Sequence, residues 1–209
     1  KKKKNLTLKK FIRANPIQLK FNITMRVFNP FGPKIAITKI PKKIINKINK
    51  EVDLIVNNKS RSKKSDYSKE LVGQVKQEIR LSNKFVNKHI LKFIKLNVKK
   101  YIKQCTNKNV KKMNLKSFWV VRQYKNEYNP VHFHNGNISG VGYLKIPKNI
   151  TKGTKRLKTN GTIDFIHGSK SFLSNSLHNH NPKVGDMIIF PNYLMPVSYT
   201  HLTLPTKPS

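Results

Sequence analysis

The sequence predicts an α+β fold in which helices precede and support a group of antiparallel strands. Between residues 41 and 106, apolar side chains recur at helical spacing. After residue 115 the pattern changes to short runs rich in Val, Ile, Phe and Tyr, separated by Gly, Asn and Pro. Helices followed by a run of strands are typical of a helix-buttressed β-sandwich or barrel, and not of a repeating βαβ fold.

The N-terminal half is predicted to hold one strand and two helices. "IAITKI" at 35–40 alternates as a strand does, and Pro41 suits the first turn of a helix that continues to about residue 56. A polar loop is predicted from residue 57 to about 69, and the type of "LVGQVKQEIRL" is left open. Ser82 is a suitable N-cap for a second, uninterrupted helix that ends near Cys105.

The C-terminal half contains four clear strand patterns. They are "SFWVVRQY", "SGVGYLKIP", "GTIDFIHG" and "DMIIFP", each bounded by residues that favour turns. Asp186 follows Gly185 at the start of the last pattern and is predicted to be a turn residue. These strands define a β core over residues 115–195.

The charge of the chain points to anionic partners only weakly. The formal net charge is +36, from 44 Lys and Arg against 8 Asp and Glu in 209 residues. The excess is mostly lysine spread along the whole chain, together with abundant Asn and Ile, a composition that AT-rich codons produce regardless of function. A dedicated nucleic-acid binder more often gathers arginine and aromatic residues on one face. A basic nucleic-acid-binding β-sandwich without catalysis is therefore an alternative and not the favoured reading.

Cysteine usage and hydropathy indicate the compartment. A single cysteine, Cys105, excludes an intramolecular disulfide, so the sequence does not call for an oxidising environment. No apolar run approaches the roughly 20 residues that span a bilayer. We therefore expect a cytoplasmic protein with no membrane partner.

Both ends of the chain differ from its centre. The first methionine is Met25, so residues 1–24 are predicted to be an upstream extension that is not part of the fold. At the other end, "PVSYTHLTLPTKPS" abruptly loses the Lys, Asn and Ile character, and residues 196–209 are predicted to be a non-native tail of adapter-like sequence. Residues 25–195 are then a single domain, with a helical part at 41–106.

Two histidines in "YNPVHFHNGNISGVGYLKIP" form the candidate metal site. In an extended segment, residues two apart point to the same side, so His132 and His134 can direct two imidazoles at one metal ion. A second pair, His178 and His180, lies in an Asn- and Ser-rich stretch and is predicted to be a solvent-exposed loop. The first pair is therefore the candidate.

The motifs around this pair resemble those of a known family. In chain order, "QYKNEYNPVHFHNGNISGVGYLKIP", "GTIDFIHGS" and "VGDMIIFPNYLM" are similar to the 2-oxoglutarate- and Fe(II)-dependent oxygenases, in their prolyl-4-hydroxylase-like branch. "LVGQVKQEIRL" also resembles the N-terminal part of one uncharacterised group in that family. The resemblance spans roughly residues 25–195 and implies a double-stranded β-helix, a jelly-roll and cupin-like core, buttressed by the N-terminal helices.

The resemblance also implies roles for particular residues. His132 and His134 would be two of three protein ligands of Fe(II). Tyr143 matches the tyrosine that binds the distal carboxylate of 2-oxoglutarate, and Tyr124 occupies a position where the family can place a tyrosine near the metal. The third ligand is expected in "FPxxLxH", where this chain has Pro196, so that ligand is absent, as is the arginine expected on the strand beyond it.

The implied function is an Fe(II)- and 2-oxoglutarate-dependent dioxygenase that uses O2 to hydroxylate a substrate. The substrate class, whether protein, nucleotide or small molecule, stays open. His134 stands where most of the superfamily has aspartate, and a three-histidine iron site also occurs in enzymes that need no 2-oxoglutarate. A cupin-like metal protein that does not use 2-oxoglutarate is therefore a further alternative.

Overall fold

The computed structural model describes residues 25–30, 32–124, 127–147 and 161–199, and it has the predicted α+β composition. The strands are β1 (Arg26–Phe28), β2 (Ile35–Lys39), β3 (Gln77–Arg80), β4 (Trp119–Arg122), β5 (Tyr128–Asn129), β6 (Ile138–Gly142), β7 (Ile163–Ile166), β8 (Leu177–His180), β9 (Asp186–Pro191) and β10 (Met195–Tyr199). The helices are α1 (Lys42–Val56), α2 (Lys59–Ser65), α3 (Asn83–His89) and α4 (Leu91–Thr106).

In the described residues the strands form two four-stranded antiparallel sheets and one two-stranded sheet. The first sheet has the order β1-β2-β9-β6, the second has the order β5-β10-β7-β8, and β3 pairs with β4. Along the chain from β5 to β10, consecutive strands change sheet four times: β6 and β9 belong to the first sheet, and β5, the β7–β8 hairpin and β10 belong to the second.

Period-two alternation in the first sheet creates a core on each of its faces. Ile188 and Phe190 of β9 point towards the second sheet and pack with Ile163 and Phe165 of β7. The alternate residues of β9, Met187 and Ile189, point away from the second sheet, as does Ala36 of β2, and they pack against α4. The result is three layers, a helix on a sheet on a sheet.

A separate apolar cluster joins the remaining helices to the smallest sheet. Ile48, Val52 and Ile55 share one face of α1 and pack with residues of α3 and with Ile79 of β3. These residues recur at the helical spacing that predicted α1, and its observed bounds confirm that helix.

The structure differs from the sequence prediction in two helical segments. The predicted polar loop contains α2, because the Asn58 side chain caps it by accepting a hydrogen bond from the Arg61 backbone amide at 3.0 Å. The predicted single second helix is two helices, α3 and α4, because Ile90 leaves helical geometry at φ −124° while its side chain stays buried. Within the described residues, no helix is both long and apolar enough to cross a membrane.

The predicted domain boundaries fall partly outside the described residues. Residues 1–24 and 200–209 lie outside them. Of the predicted tail, residues 196–199 continue β10, which pairs with β7 and β5, and Val197 is buried. On the N-terminal side, β1 and β2 precede the helices and belong to the same sheet as β9.

Glu78 of β3 provides a test of this packing by pH. The side chain is 1% exposed and its Oε2 has no hydrogen-bond partner among the described residues. Burial, with a smaller contribution from Asp66, raises the pKa of this carboxyl to about 7 from 4.5. Between these values the unfolded chain ionises and the folded chain does not, so Glu78 lowers the free energy of unfolding as the pH rises from 4.5 to about 7.

We therefore expect Glu78→Gln to be as stable as the wild type near pH 4.5 and more stable at pH 8, by up to about 3 kcal/mol. Urea denaturation across this range measures the difference. The matched control is Glu70→Gln, the same substitution at an exposed glutamate. A constant difference between Glu78→Gln and the wild type at all pH values would contradict the assignment.

Candidate metal centre

The segment that carries the histidine pair follows β5, and its side chains alternate between exposed and partly buried. Val131 and Phe133 are 46% and 75% exposed, whereas His132 and His134 are partly buried. This alternation is the one expected for side chains two apart that share a side. The two imidazole rings face each other edge to face, with centroids 4.6 Å apart.

The ring of His132 is oriented by the backbone beside it. Its Nδ1 lies 2.8 Å from the carbonyl oxygen of Pro130, which can only accept, so Nδ1 carries the proton. In the neutral ring, Nε2 then holds the lone pair. A backbone carbonyl that fixes the far nitrogen of a histidine is the usual support of a metal ligand.

His134 presents a buried nitrogen with no partner. Its Nε2 is out of contact with water and makes no hydrogen bond to any described residue. Burial, and to a lesser extent His132, lowers the pKa of His134 to about 4, so the ring is neutral at physiological pH. A buried polar atom without a partner is unfavourable, and a metal ion at Nε2 would satisfy it. The two donors present therefore fit a metal ion.

The connection between β9 and β10 holds this segment in place. The Asn192 side-chain amide donates to the His134 carbonyl at 3.1 Å, and the Asn192 backbone amide donates to the Asn137 carbonyl at 3.1 Å. Phe190, the penultimate residue of β9, packs edge-on against the His134 ring with centroids 5.7 Å apart. Sequence reasoning missed both Asn192 and Phe190, because nothing in their local pattern indicates a contact some 60 positions away.

The described residues supply two candidate ligands and not a third. The predicted third position, Pro196, is a buried residue of β10 paired with Phe165, and proline has no donor for a metal. Among the residues that the structure describes, no group of three or more His, Cys, Asp or Glu side chains is arranged to hold a metal ion.

The two tyrosines predicted to bind the cosubstrate lie in different surroundings. Tyr143 directly follows β6 and packs in the core between the two four-stranded sheets. Burial, with a contribution from the Asp186 charge, raises the pKa of its hydroxyl well above the ordinary value, so it stays protonated. Tyr124 follows β4 and is 45% exposed, with its hydroxyl 3.4 Å from Gln77 Oε1. The role of Tyr124 stays a prediction.

The prediction of an exposed loop at the second histidine pair is wrong. His178 and His180 lie in β8, which pairs with β7, and both are partly buried. The alternation of exposed and partly buried residues from Leu177 to His180 is that of a strand, and the many Asn and Ser residues around it hid the signal.

Asp186 is likewise not a simple turn residue. It is 3% exposed and is the first residue of β9. One carboxylate oxygen pairs with Lys39 Nζ, and the other accepts the Lys183 backbone amide at 2.8 Å and lies 3.2 Å from His180 Nε2. Burial opposes its ionisation, but these partners outweigh burial and lower the pKa of Asp186. The only clue that the sequence offered was that acidic residues are scarce in this chain.

Comparison with known families identifies the C-terminal half. Residues 117–202 match the family described as "Putative 2OG-Fe(II) oxygenase". The match contains the histidine pair, Tyr143 and β4 to β10, and it begins after the helices. No curated protein matches the chain.

Removal of either histidine should abolish tight metal binding. We expect His132→Ala and His134→Ala each to weaken Co(II) binding by more than the roughly tenfold that loss of an outer-shell partner already costs. Titration followed by the visible ligand-field bands of Co(II) measures this. The matched control is His178→Ala, a partly buried histidine whose ring packs against Phe28 with centroids 5.1 Å apart. If all three variants bind Co(II) like the wild type, the pair is not a metal site.

Proposed function

We propose that the protein is an Fe(II)- and 2-oxoglutarate-dependent dioxygenase that hydroxylates its substrate, in keeping with the match of residues 117–202 to the family described as "Putative 2OG-Fe(II) oxygenase". The observation that carries this proposal is the buried Nε2 of His134, which has no hydrogen-bond partner among the described residues. The His134 ring centroid lies 4.6 Å from that of His132, whose ring is oriented by the Pro130 carbonyl. Two neutral imidazoles that share one side are the start of the facial ligand set that non-haem Fe(II) oxygenases use.

The strand topology supports a double-stranded β-helix for the core. From β5 to β10 the chain passes back and forth between two facing antiparallel sheets. In each sheet a late strand lies between earlier ones: β9 lies between β2 and β6, and β10 lies between β5 and β7. Such winding between two facing sheets is what a jelly roll requires, and it supports that part of the proposal. The helix α4 covers the outer face of one sheet, as expected for a core that N-terminal helices buttress.

The chain's own residues would bind, orient and exclude water. His132 and His134 would hold the iron through Nε2, with the Pro130 carbonyl and the Asn192 amide fixing their segment. Fe(II) with 2-oxoglutarate and O2 supplies the oxidising chemistry, in which 2-oxoglutarate is converted to succinate and CO2 and a substrate C–H bond is hydroxylated.

Tyr143 is suited to bind the distal carboxylate of the cosubstrate. It is partly buried and packs against the apolar core between the sheets, where a hydrogen bond to a charged group is stronger than in water. Since its hydroxyl stays protonated, it can donate to a carboxylate throughout the physiological pH range.

The proposed function is tested by anaerobic titration of the full chain with Fe(II) and then 2-oxoglutarate. We expect a weak visible charge-transfer band that needs both components. His132→Ala should remove the band, and Tyr143→Phe should retain Fe(II) binding while weakening 2-oxoglutarate roughly tenfold, because one hydrogen bond to a charged group is lost. Tyr67→Phe, on a tyrosine packed against Trp119, is the matched control.

Two other results would favour the alternative functions. Fe(II) binding with no response to 2-oxoglutarate would favour a cupin-like metal protein. Binding of neither, with strongly salt-dependent affinity for DNA or RNA, would favour a basic nucleic-acid-binding sandwich.

A further inference from the structure

The solvent-facing side of α4 carries a row of lysines. Lys92, Lys99 and Lys103 are exposed, and at 3.6 residues per turn they fall within about 40° of one another around the helix axis. Lys100, which is exposed, and Lys95, which is partly exposed, flank this row. The opposite side of α4 packs against the first sheet. We call these five lysines the α4 lysine face.

The α4 lysine face lacks the acidic neighbours that other basic groups of the chain have. No Asp or Glu occurs in the sequence between Glu78 and Glu127, a stretch that contains all of α3 and α4. Among the described residues, no lysine of α4 forms an ion pair, whereas Glu51 of α1 pairs with Arg61 of α2 at 2.8 Å. The positive charge on α4 is therefore not compensated locally.

We propose that the α4 lysine face binds the sugar-phosphate backbone of double-stranded DNA. From Lys92 to Lys103 the face extends about 16 Å at 1.5 Å per residue. This length is roughly that of five base pairs along the axis of a DNA duplex at 3.4 Å each. An ammonium group is a compact donor for phosphate oxygens, and contacts to phosphate carry no sequence information, so binding should not depend on sequence.

The composition of this face favours a duplex over other anionic partners. The aromatic residues of α4, Phe93 and Tyr101, pack in the core, so the face has no ring on which the unstacked bases of a single strand could lie. RNA is recognised through such bases and through 2′-hydroxyl groups, and a row of lysines has no feature specific for either. The apolar side of α4 is occupied by the first sheet and cannot insert into a membrane.

The α4 lysine face lies away from the candidate metal centre. The helix covers the face of the first sheet that points away from the second sheet. Phe190, which contacts the His134 ring, points from the other face of the first sheet. The face is thus a docking surface, and this inference does not depend on the proposed function.

The salt dependence of DNA binding tests the inference. Fluorescence anisotropy of a labelled DNA duplex, titrated with the full chain at a series of salt concentrations, gives the slope of log Kd against log salt. We expect the triple variant Lys92→Gln, Lys99→Gln, Lys103→Gln to reduce this slope by about three, since each phosphate contact contributes about 0.9. The variant should weaken the binding of two duplexes of different sequence by the same factor.

A variant of equal charge separates the α4 lysine face from the net charge of the chain. Lys59→Gln, Lys63→Gln, Lys64→Gln makes the same three substitutions at exposed lysines of α2. We expect this variant to keep the wild-type slope and affinity. If it loses as much as the α4 variant, the binding reflects net charge alone and the inference is overturned.

Three further measurements distinguish the partners and the failures. Tighter binding of a single strand or of an RNA duplex of the same sequence would contradict the choice of double-stranded DNA. Loss of binding to phosphatidylserine vesicles in the α4 variant, with DNA binding intact, would assign the face to a membrane. The α4 variant should bind Fe(II) like the wild type, and His132→Ala should bind DNA like the wild type, so each proposal can fail without the other. Circular dichroism checks that both triple variants remain folded.

Discussion

The candidate site depends on the central position of β9 in its sheet. This strand pairs with β2 on one side and β6 on the other, and five of its six residues are buried. Each end of β9 contacts a different group of polar residues. Near its C-terminal end Phe190 contacts His134 and the following Asn192 binds the histidine segment, whereas at its start Asp186 engages His180 and the Tyr143 backbone. Any shift of β9 would move both regions together.

Buried acids take structural roles in a chain that has few of them. Among the described residues, Glu78, Glu127 and Asp186 are the buried acidic side chains, against a formal net charge of +36. Glu127 accepts the backbone amides of Lys76 and Tyr124, at 3.2 and 2.8 Å, and so links the residue before β3 to the residues on either side of the β4–β5 connection. Glu127 and Asp186 therefore connect elements that are far apart in sequence, whereas the Glu78 side chain is buried with one unpartnered oxygen.

Periodic signals were sufficient for most elements and for the histidine pair. Apolar spacing predicted α1, alternation predicted β2, and short runs rich in Val, Ile, Phe and Tyr bounded by turn residues predicted β4, β6, β7 and β9. The motifs predicted the oxygenase family, which the match over residues 117–202 confirms. The small residues of "SGVG" also agree with the structure, since a Cβ at Gly140 would meet the Ile188 carbonyl oxygen at 3.0 Å.

The sequence could not reveal features that depend on tertiary contact. β5 has two residues and β8 is rich in polar side chains, so neither has a recognisable pattern. The break at Ile90 leaves the apolar spacing of α3 and α4 intact. The sheets bring distant partners to Asn192, Asp186 and His180. The local spacing of residues in the sequence does not indicate these contacts.

The most direct test of the account is to count the histidines bound to the metal. X-ray absorption fine structure of the Fe(II)-loaded full chain resolves imidazole ligands by their ring scattering. We expect two imidazoles in the wild type and one in His134→Ala, with His178→Ala unchanged. A spectrum without imidazole scattering, or one that His134→Ala leaves unaltered, would contradict the assignment of His132 and His134 as the metal centre.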